Sequence, residues 1–324
     1  MTYAREDFMQ ADQCGTFHIY ARCIRRCFLL GHDEESGKDY SGRKDWIPLR
    51  LAVLRKTFLI DINAYAVMSN HYHLILSNRP DLVKNLTKKE VGARWLLLHP
   101  TESMKAEKRE IPTKAEIAAL IKEYTLKEIQ SRLSDISWFM RELNQHIAVK
   151  ANREEGISGA FFDGRFKSQF LADDFAVLTC MIYIDLNPVR AKVAKSIEDS
   201  IFTSGYDRMM AHTTQTNLNA IEKTKYKEED SLTYHQKKEI NIEKKNIQKA
   251  NFLSPLAPKE LKIETNNAQN NEINLLQNTT SAPKPFLSIT TEKYLELLDA
   301  TGRAYHKKKS GAIADKFAPI QCLC

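Results

Sequence analysis

Asn70-His71-Tyr72-His73-Leu74-Ile75-Leu76 decides how this chain is read. Two histidines stand two positions apart in an apolar run. On a β-strand side chains alternate with period two, so both imidazoles leave one face and Tyr72 turns to the other, toward a core. Two imidazoles on one rigid face can hold one metal ion. The preceding Ala64-Tyr65-Ala66-Val67-Met68 is also strand-like, and Ser69-Asn70 reads as a two-residue hairpin turn. The spacing therefore predicts a hairpin whose second strand opens, near its exposed end, with a metal-binding pair. By itself an HxH on a strand is more often a chance or hydrogen-bonded pair than a ligand pair.

Working outward, residues 17–27 mix apolar and basic side chains and read as a first strand, and the glycine-bearing stretch 31–44 reads as a loop. Ile47, Leu51, Leu54 and Phe58 form one helical stripe, with Pro48 tolerated in the first turn. Asn78-Arg79-Pro80 closes the second hairpin strand. Residues 81–130 look helical, with Ile117, Leu120, Ile121 and Tyr124 on one face, and are expected to form an insertion over the core. A longer helix is predicted over 133–151, with Ile136, Met140, Leu143 and Ile147 on one stripe and Gly156 and Gly159 beyond its end.

Asp163-Gly164 is a turn or bulge signal. In the strand predicted after it, Phe166, Ser168 and Phe170 share one face and Arg165, Lys167 and Gln169 the other. A basic, polar face suits a phosphate backbone, or is a solvated edge. Asp173 is placed to cap a following helix, with Phe175, Leu178 and Ile182 expected to face the core. Tyr183 lies beside Ala176, Thr179 and Cys180, and Pro188 suggests a break in the run Leu186-Asn187-Pro188-Val189-Arg190-Ala191. Asn187-Pro188 is also an N-cap followed by proline at the first helical position.

The hydrophobic fraction of 43% and charged fraction of 27% are ordinary for a globular chain of 324 residues. No apolar run reaches the length of a membrane span. Residues 1–10 carry charges and no signal-peptide core, and six scattered cysteines form no paired CxxC set. A cytoplasmic protein with reduced thiols and no membrane partner is expected. The formal charge of +7 favours a polyanionic partner. Composition shifts near residue 210: residues 211–290 have no glycine and are rich in Lys, Glu, Gln and Asn, which predicts a largely disordered or loosely helical linker. A short amphipathic helix is expected around Tyr294-Leu295-Glu296-Leu297-Leu298. The expected organisation is a catalytic domain over 1–210, the linker over 211–290 and a short helical segment over 291–324.

His71-Tyr72-His73, together with Tyr183-Ile184-Asp185-Leu186-Asn187-Pro188-Val189-Arg190-Ala191, resembles the REP-associated tyrosine transposases, single-tyrosine members of the HUH endonuclease class. The resemblance spans roughly 14–206, and includes residues 64–70 ahead of the histidines and 164–168 ahead of the tyrosine helix. It implies an α+β fold, a ferredoxin-like antiparallel sheet backed by helices. It implies cutting of single-stranded DNA beside hairpins with a divalent metal and a tyrosine, leaving a 5′-phosphotyrosine link and a 3′-OH. The long linker is less typical of the shorter members. The tail after 290 looks like the extension of larger ones, cut short.

Under that resemblance Tyr183 is the nucleophile, and His71 and His73 with Asn187 as third ligand hold Mg²⁺ or Mn²⁺. Arg165, Lys167, Gln169 and Arg190 are the expected DNA contacts, with single-stranded or hairpin DNA as partner and a monomer or homodimer as the assembly. A phenol has a reference pKa near 10, so only about one in a thousand is ionised at pH 7. Metal polarisation of the scissile phosphate offsets the charge that develops during attack. The alternative is a hairpin-binding regulator on the same scaffold that does not cut. A zinc hydrolase is less well matched, because Leu74 and Ile75 stand where a further ligand is expected.

Overall fold

The computed structural model describes residues 13–24, 29–43, 45–225, 250–257, 286–304, 311–317 and 319. The hairpin is formed by β2 (Ile60–Val67) and β3 (His71–Asn78), paired antiparallel. Met68 N–H donates to the His71 carbonyl at 2.8 Å across Ser69-Asn70. The turn is pinned from outside, since Leu29 N–H donates to Ser69 O and Cys23 N–H to Asn70 O. Tyr72 is fully buried, and its hydroxyl donates to Asn144 Oδ1, the partner that a buried phenol requires.

The first strand, β1 (Gly15–Arg22), pairs with β3 on one side and β4 (Lys167–Leu171) on the other, giving the antiparallel order β2-β3-β1-β4. Helix α1 (Trp46–Thr57) joins β1 to β2. Between β3 and β4 run α2 (Pro80–Val83), α3 (Lys88–Leu98), α4 (Glu102–Ala106), α5 (Lys114–Glu123), α6 (Leu126–Leu133) and the long α7 (Ile136–Glu155). The succession β1-α1-β2-β3-α7-β4 with β1 and β3 central is the expected ferredoxin-like arrangement, and α2 to α6 are the expected helical insertion.

Alternation assigns the two sheet faces. Phe17, Ile19 and Ala21 of β1 and Tyr72, Leu74 and Leu76 of β3 meet Ile47, Leu51 and Leu54 of α1, Phe58 just beyond its end, and Ile136, Phe139, Met140, Leu143 and Ile147 of α7. Each such buried side chain contributes about 1.5–3 kcal/mol. A bulge at Asn63 shifts the parity of β2, so Ala64 and Ala66 point to the opposite face with Ile75. That face is covered by α8 (Asp174–Asp185), followed by α9 (Asn187–Arg190), α10 (Ser204–Lys225) and α11 (Thr291–Arg303).

Local sequence accounts for the helix ends. Thr87/Glu90, Thr113/Glu116 and Thr125/Glu128 form reciprocal capping boxes that open α3, α5 and α6. Asp173 accepts from Ala176 N–H at 2.7 Å and opens α8. Gly156, at φ 66°, closes α7 in the left-handed conformation that glycine adopts without penalty.

Two expectations need revision. The buried stripe of α8 is Val177, Met181 and Ile184, while Phe175 is 78% exposed and Leu178 and Ile182 are half-buried. The helix is apolar on almost every side, so the sequence does not fix its rotation; packing on Ala64 and Ala66 does. The composition boundary near 210 does not match the chain path either. Residues 211–225 continue α10, and Phe252, Leu253, Leu256 and Leu287 are buried in the two cores flanking the sheet. The remaining parts of the expected linker, 226–249 and 258–285, lie outside the described residues. Helix α11 buries Tyr294, Leu295 and Leu298 in the same core as α8.

Residues 250–257 and 286–304 meet beside this core. Ala257 N–H donates to Ile289 O at 2.9 Å, and Ala257 and Thr290 form a parallel bridge. Beyond α11, Gly311 lies so close to α9 that an added Cβ would sit 1.9 Å from Val189 O.

Candidate functional site

The expected metal pair and the expected nucleophile come together on the α8 side of the sheet. His71 and His73 project from the first turn-proximal positions of β3, their ring centroids 5.1 Å apart. Tyr183 reaches them from α8, one residue before the buried Ile184. Its ring centroid is 6.1 Å from that of His73, and its side chain is 45% exposed. The small Ala64 and Ala66 let α8 lie close to β2, and this sets the tyrosine at the margin of the covered area rather than within it.

A third imidazole joins them. Across the β1–β3 pairing, His18 Nε2 lies 2.9 Å from His73 Nδ1, the two rings stack with centroids 5.1 Å apart, and Tyr183 stands 6.5 Å from His18. His71 Nδ1 lies 2.8 Å from Asn70 Oδ1. An amide oxygen only accepts, so Nδ1 of His71 carries the proton and Nε2 its lone pair. The tautomer of His73 that donates from Nδ1 to His18 likewise presents its lone pair at Nε2. Fixing a ligand's second nitrogen in this way is how protein metal sites orient imidazoles. Burial lowers the pKa of His18, and burial reinforced by Arg22 lowers that of His71, which favours the neutral, ligating form.

Asn187 is the first residue of α9 and is 9% exposed. The residue preceding the helix is Leu186, with no side-chain cap, so Asn187 is not the N-cap that Asn-Pro suggests. Its amide makes no hydrogen bond among the described residues, whereas its carbonyl accepts from Ala191 N–H. By donor type, two imidazoles and one amide oxygen would suit Mn²⁺ or Mg²⁺; among the described residues no hydrogen bond or ring contact joins Asn187 to His71 or His73. Among the described residues no group of three or more His, Cys, Asp or Glu converges to hold a metal.

The β1–β4 half of this face is less covered. Tyr20 and Arg22 of β1 stand opposite His73 and His71, and Lys167 and Gln169 of β4 stand opposite Tyr20 and His18. Arg22, Lys167 and Gln169 are exposed, and Lys167 Nζ lies 5.8 Å from the Tyr20 ring centroid. Arg165 is exposed in the turn before β4, outside the paired register. Arg190 is not at this surface. Its guanidinium donates to the carbonyls of Thr301 at 2.7 Å and of Ala304 and Gly311 at 2.9 Å, which ties α9 to the end of α11. The residue expected to contact DNA is thus engaged, in this structure, in holding two parts of the chain together.

Sequence reasoning passed over His18, Tyr20 and Arg22. The signal was present, because Phe17, Ile19, Ala21 and Cys23 alternate with His18, Tyr20 and Arg22. What the sequence lacked was the pairing that sets β1 beside β3.

Behind Tyr183 lies a buried polar cluster. Asp185 accepts from Ser204 Oγ at 2.7 Å and from Tyr294 Oη at 2.5 Å, joining α8 to α10 and α11. Burial pushes its pKa up to about 6, partly opposed by the Tyr294 and Ser204 hydrogen bonds and by Arg208.

No protein-family model and no curated protein matches the chain. A solved structure of a REP-associated tyrosine transposase bound to a REP hairpin is similar to it, at 14% identity over 63% of this chain and 82% of that one, with a TM-score of 0.36. Among the described residues no helix is long and apolar enough to cross a membrane.

Proposed function

We propose that this chain is a metal-dependent single-stranded DNA strand transferase that works beside hairpins through a covalent tyrosine link. The observation that carries the reading is the placement of a half-exposed tyrosine, Tyr183, 6.1 Å ring to ring from His73, one of two imidazoles whose Nδ1 atoms are already engaged.

In this reading Tyr183 Oη attacks the scissile phosphorus. The new P–O bond forms at the tyrosine, and the bond from phosphorus to the 3′ oxygen breaks. The phenol loses one proton to solvent and the departing 3′ oxygen takes one up, so the step is balanced. The phosphodiester count is conserved, which lets the break be rejoined without an external energy source. His71, His73 and Asn187 would hold Mg²⁺ or Mn²⁺, which when bound supplies charge stabilisation to the phosphate and the leaving oxygen. Arg22, Lys167 and Gln169 would hold the strand's backbone beside the reacting phosphate, with Arg165 at the entrance.

The test is incubation with hairpin-bearing single strands and Mn²⁺, followed by a denaturing gel. A covalent adduct in the wild type that is absent in Tyr183→Phe supports the reading. Binding without any adduct would select the non-cutting regulator instead.

A further inference from the structure

On the other side of the sheet, α1 and α7 border an open groove of about 670 Å³. It is lined by Arg50, Arg141, Lys150 and Arg153, with Glu142 as its sole carboxylate among the described residues. Glu142 is already matched: Arg50 lies 3.4 Å from its Oε2, and His99 3.7 Å from its Oε1. Arg141, Lys150 and Arg153 are exposed and make no ion pair among the described residues. The two carboxylates that follow Arg153, Glu154 and Glu155, are engaged by the buried Arg43.

These cations are also ordered. The Arg141 guanidinium lies 4.8 Å from the Trp138 ring centroid, and Lys150 Nζ lies 4.3 Å from that of Trp46. An indole face holds a cation and restrains a long side chain while leaving its N–H groups directed outward. From residue 141 to residue 153 the helix rises about 18 Å at 1.5 Å per residue. One DNA strand advances about 3.4 Å per phosphate, so that length faces roughly five phosphates. Unneutralised cations lining one groove repel one another and are stabilised by a polyanion laid between them.

We propose that this groove is a second nucleic-acid contact, binding a phosphate backbone through Arg141, Lys150 and Arg153 on the face of the sheet opposite Tyr183. The choice of nucleic acid over another polyanion rests on the reading of the Tyr183 site, but binding here does not require that site to react. Because the two surfaces lie on opposite faces, the groove engages DNA that flanks the reacting strand and not the reacting phosphate itself.

The test uses the full chain and a blunt duplex oligonucleotide with no single-stranded flank, titrated by fluorescence anisotropy at several salt concentrations. The variant combines R141Q, K150Q and R153Q, all exposed and outside the Tyr183 site, with its circular dichroism melt compared to wild type. The expected result is at least tenfold weaker duplex binding, with the log–log salt slope smaller by about 2 to 3, near 0.9 for each phosphate that is no longer neutralised. Unchanged affinity and slope overturn the proposal, and so does displacement of the duplex by polyglutamate more effectively than by competitor duplex of equal charge. Adduct formation on a short single strand is measured in parallel. Adduct retained with duplex binding unaltered in the variant rejects the groove alone. Duplex binding abolished in the variant, with no adduct in any form, rejects the strand-transfer reading alone.

Discussion

Nε2 of His18, on β1, stands 2.9 Å from Nδ1 of His73, on the neighbouring β3. With Nδ1 of His73 as the donor its lone pair lies at Nε2, and His18 would act on a metal only through His73. Removal of such an outer partner typically lowers metal affinity by about 10- to 100-fold. His18→Ala is expected to raise the Mn²⁺ concentration needed for half-maximal adduct by that factor. His18→Gln, whose amide oxygen can accept from Nδ1, should recover part of it. An unshifted Mn²⁺ titration in His18→Ala would remove His18 from the site.

Tyr183→Phe should abolish the covalent adduct and leave hairpin affinity within about twofold. The side chain is 45% exposed, so the change should alter stability by no more than about 0.5 kcal/mol. Adduct surviving in Tyr183→Phe would transfer the nucleophile's role to a different tyrosine. His71→Ala, measured alongside, should lose metal-dependent cleavage while still binding DNA.

Arg190→Gln should behave as a stability variant. The guanidinium serves three carbonyls at the end of α11 and beyond it, and hydrogen bonds from a charged donor contribute about 1.5–3 kcal/mol. Urea unfolding should show a loss of that order, with the salt slope of DNA binding unaltered. A reduced slope with full stability would restore Arg190 as a phosphate contact.

Asp185 gives the fold a pH dependence of unusual sign for a carboxylate. Its folded pKa of about 6 lies above the ordinary value near 3.9. Between about pH 4 and 6 the folded chain keeps a proton that the unfolded chain has released, so this group's contribution to stability falls as pH rises through that window. The loss amounts to at most about 3 kcal/mol from the difference between the two values. Asp185→Asn removes the titration. The stability of wild type relative to the variant should therefore decline from pH 4.5 to pH 6.5, and a constant difference across that range would contradict the assignment.

The hairpin, its turn and the two histidines were legible because period two and turn chemistry act over a few residues. The stripes of α1 and α7 were legible for the same reason, with Ile47, Leu51, Leu54 and Phe58 all buried as their spacing predicts. What escaped was long-range. His18 gains its meaning from a strand 55 residues away, and Arg190 from carbonyls more than 110 residues away. Helix α8 escaped for another reason: with apolar side chains from Phe175 to Ile184 on nearly every side, no periodicity distinguishes its buried face. The polar composition after residue 210 likewise concealed Phe252 and Leu256, single anchors that composition averages away.

The hydrogen bond from Ala257 to Ile289 and the Ala257–Thr290 bridge set the stretches 250–257 and 286–304 side by side. Between two points so held, doubling the number of intervening residues adds only about 0.6 kcal/mol of closure entropy. A change in the length of residues 258–285 is therefore expected to leave the seating of α11 beside the tyrosine helix in place.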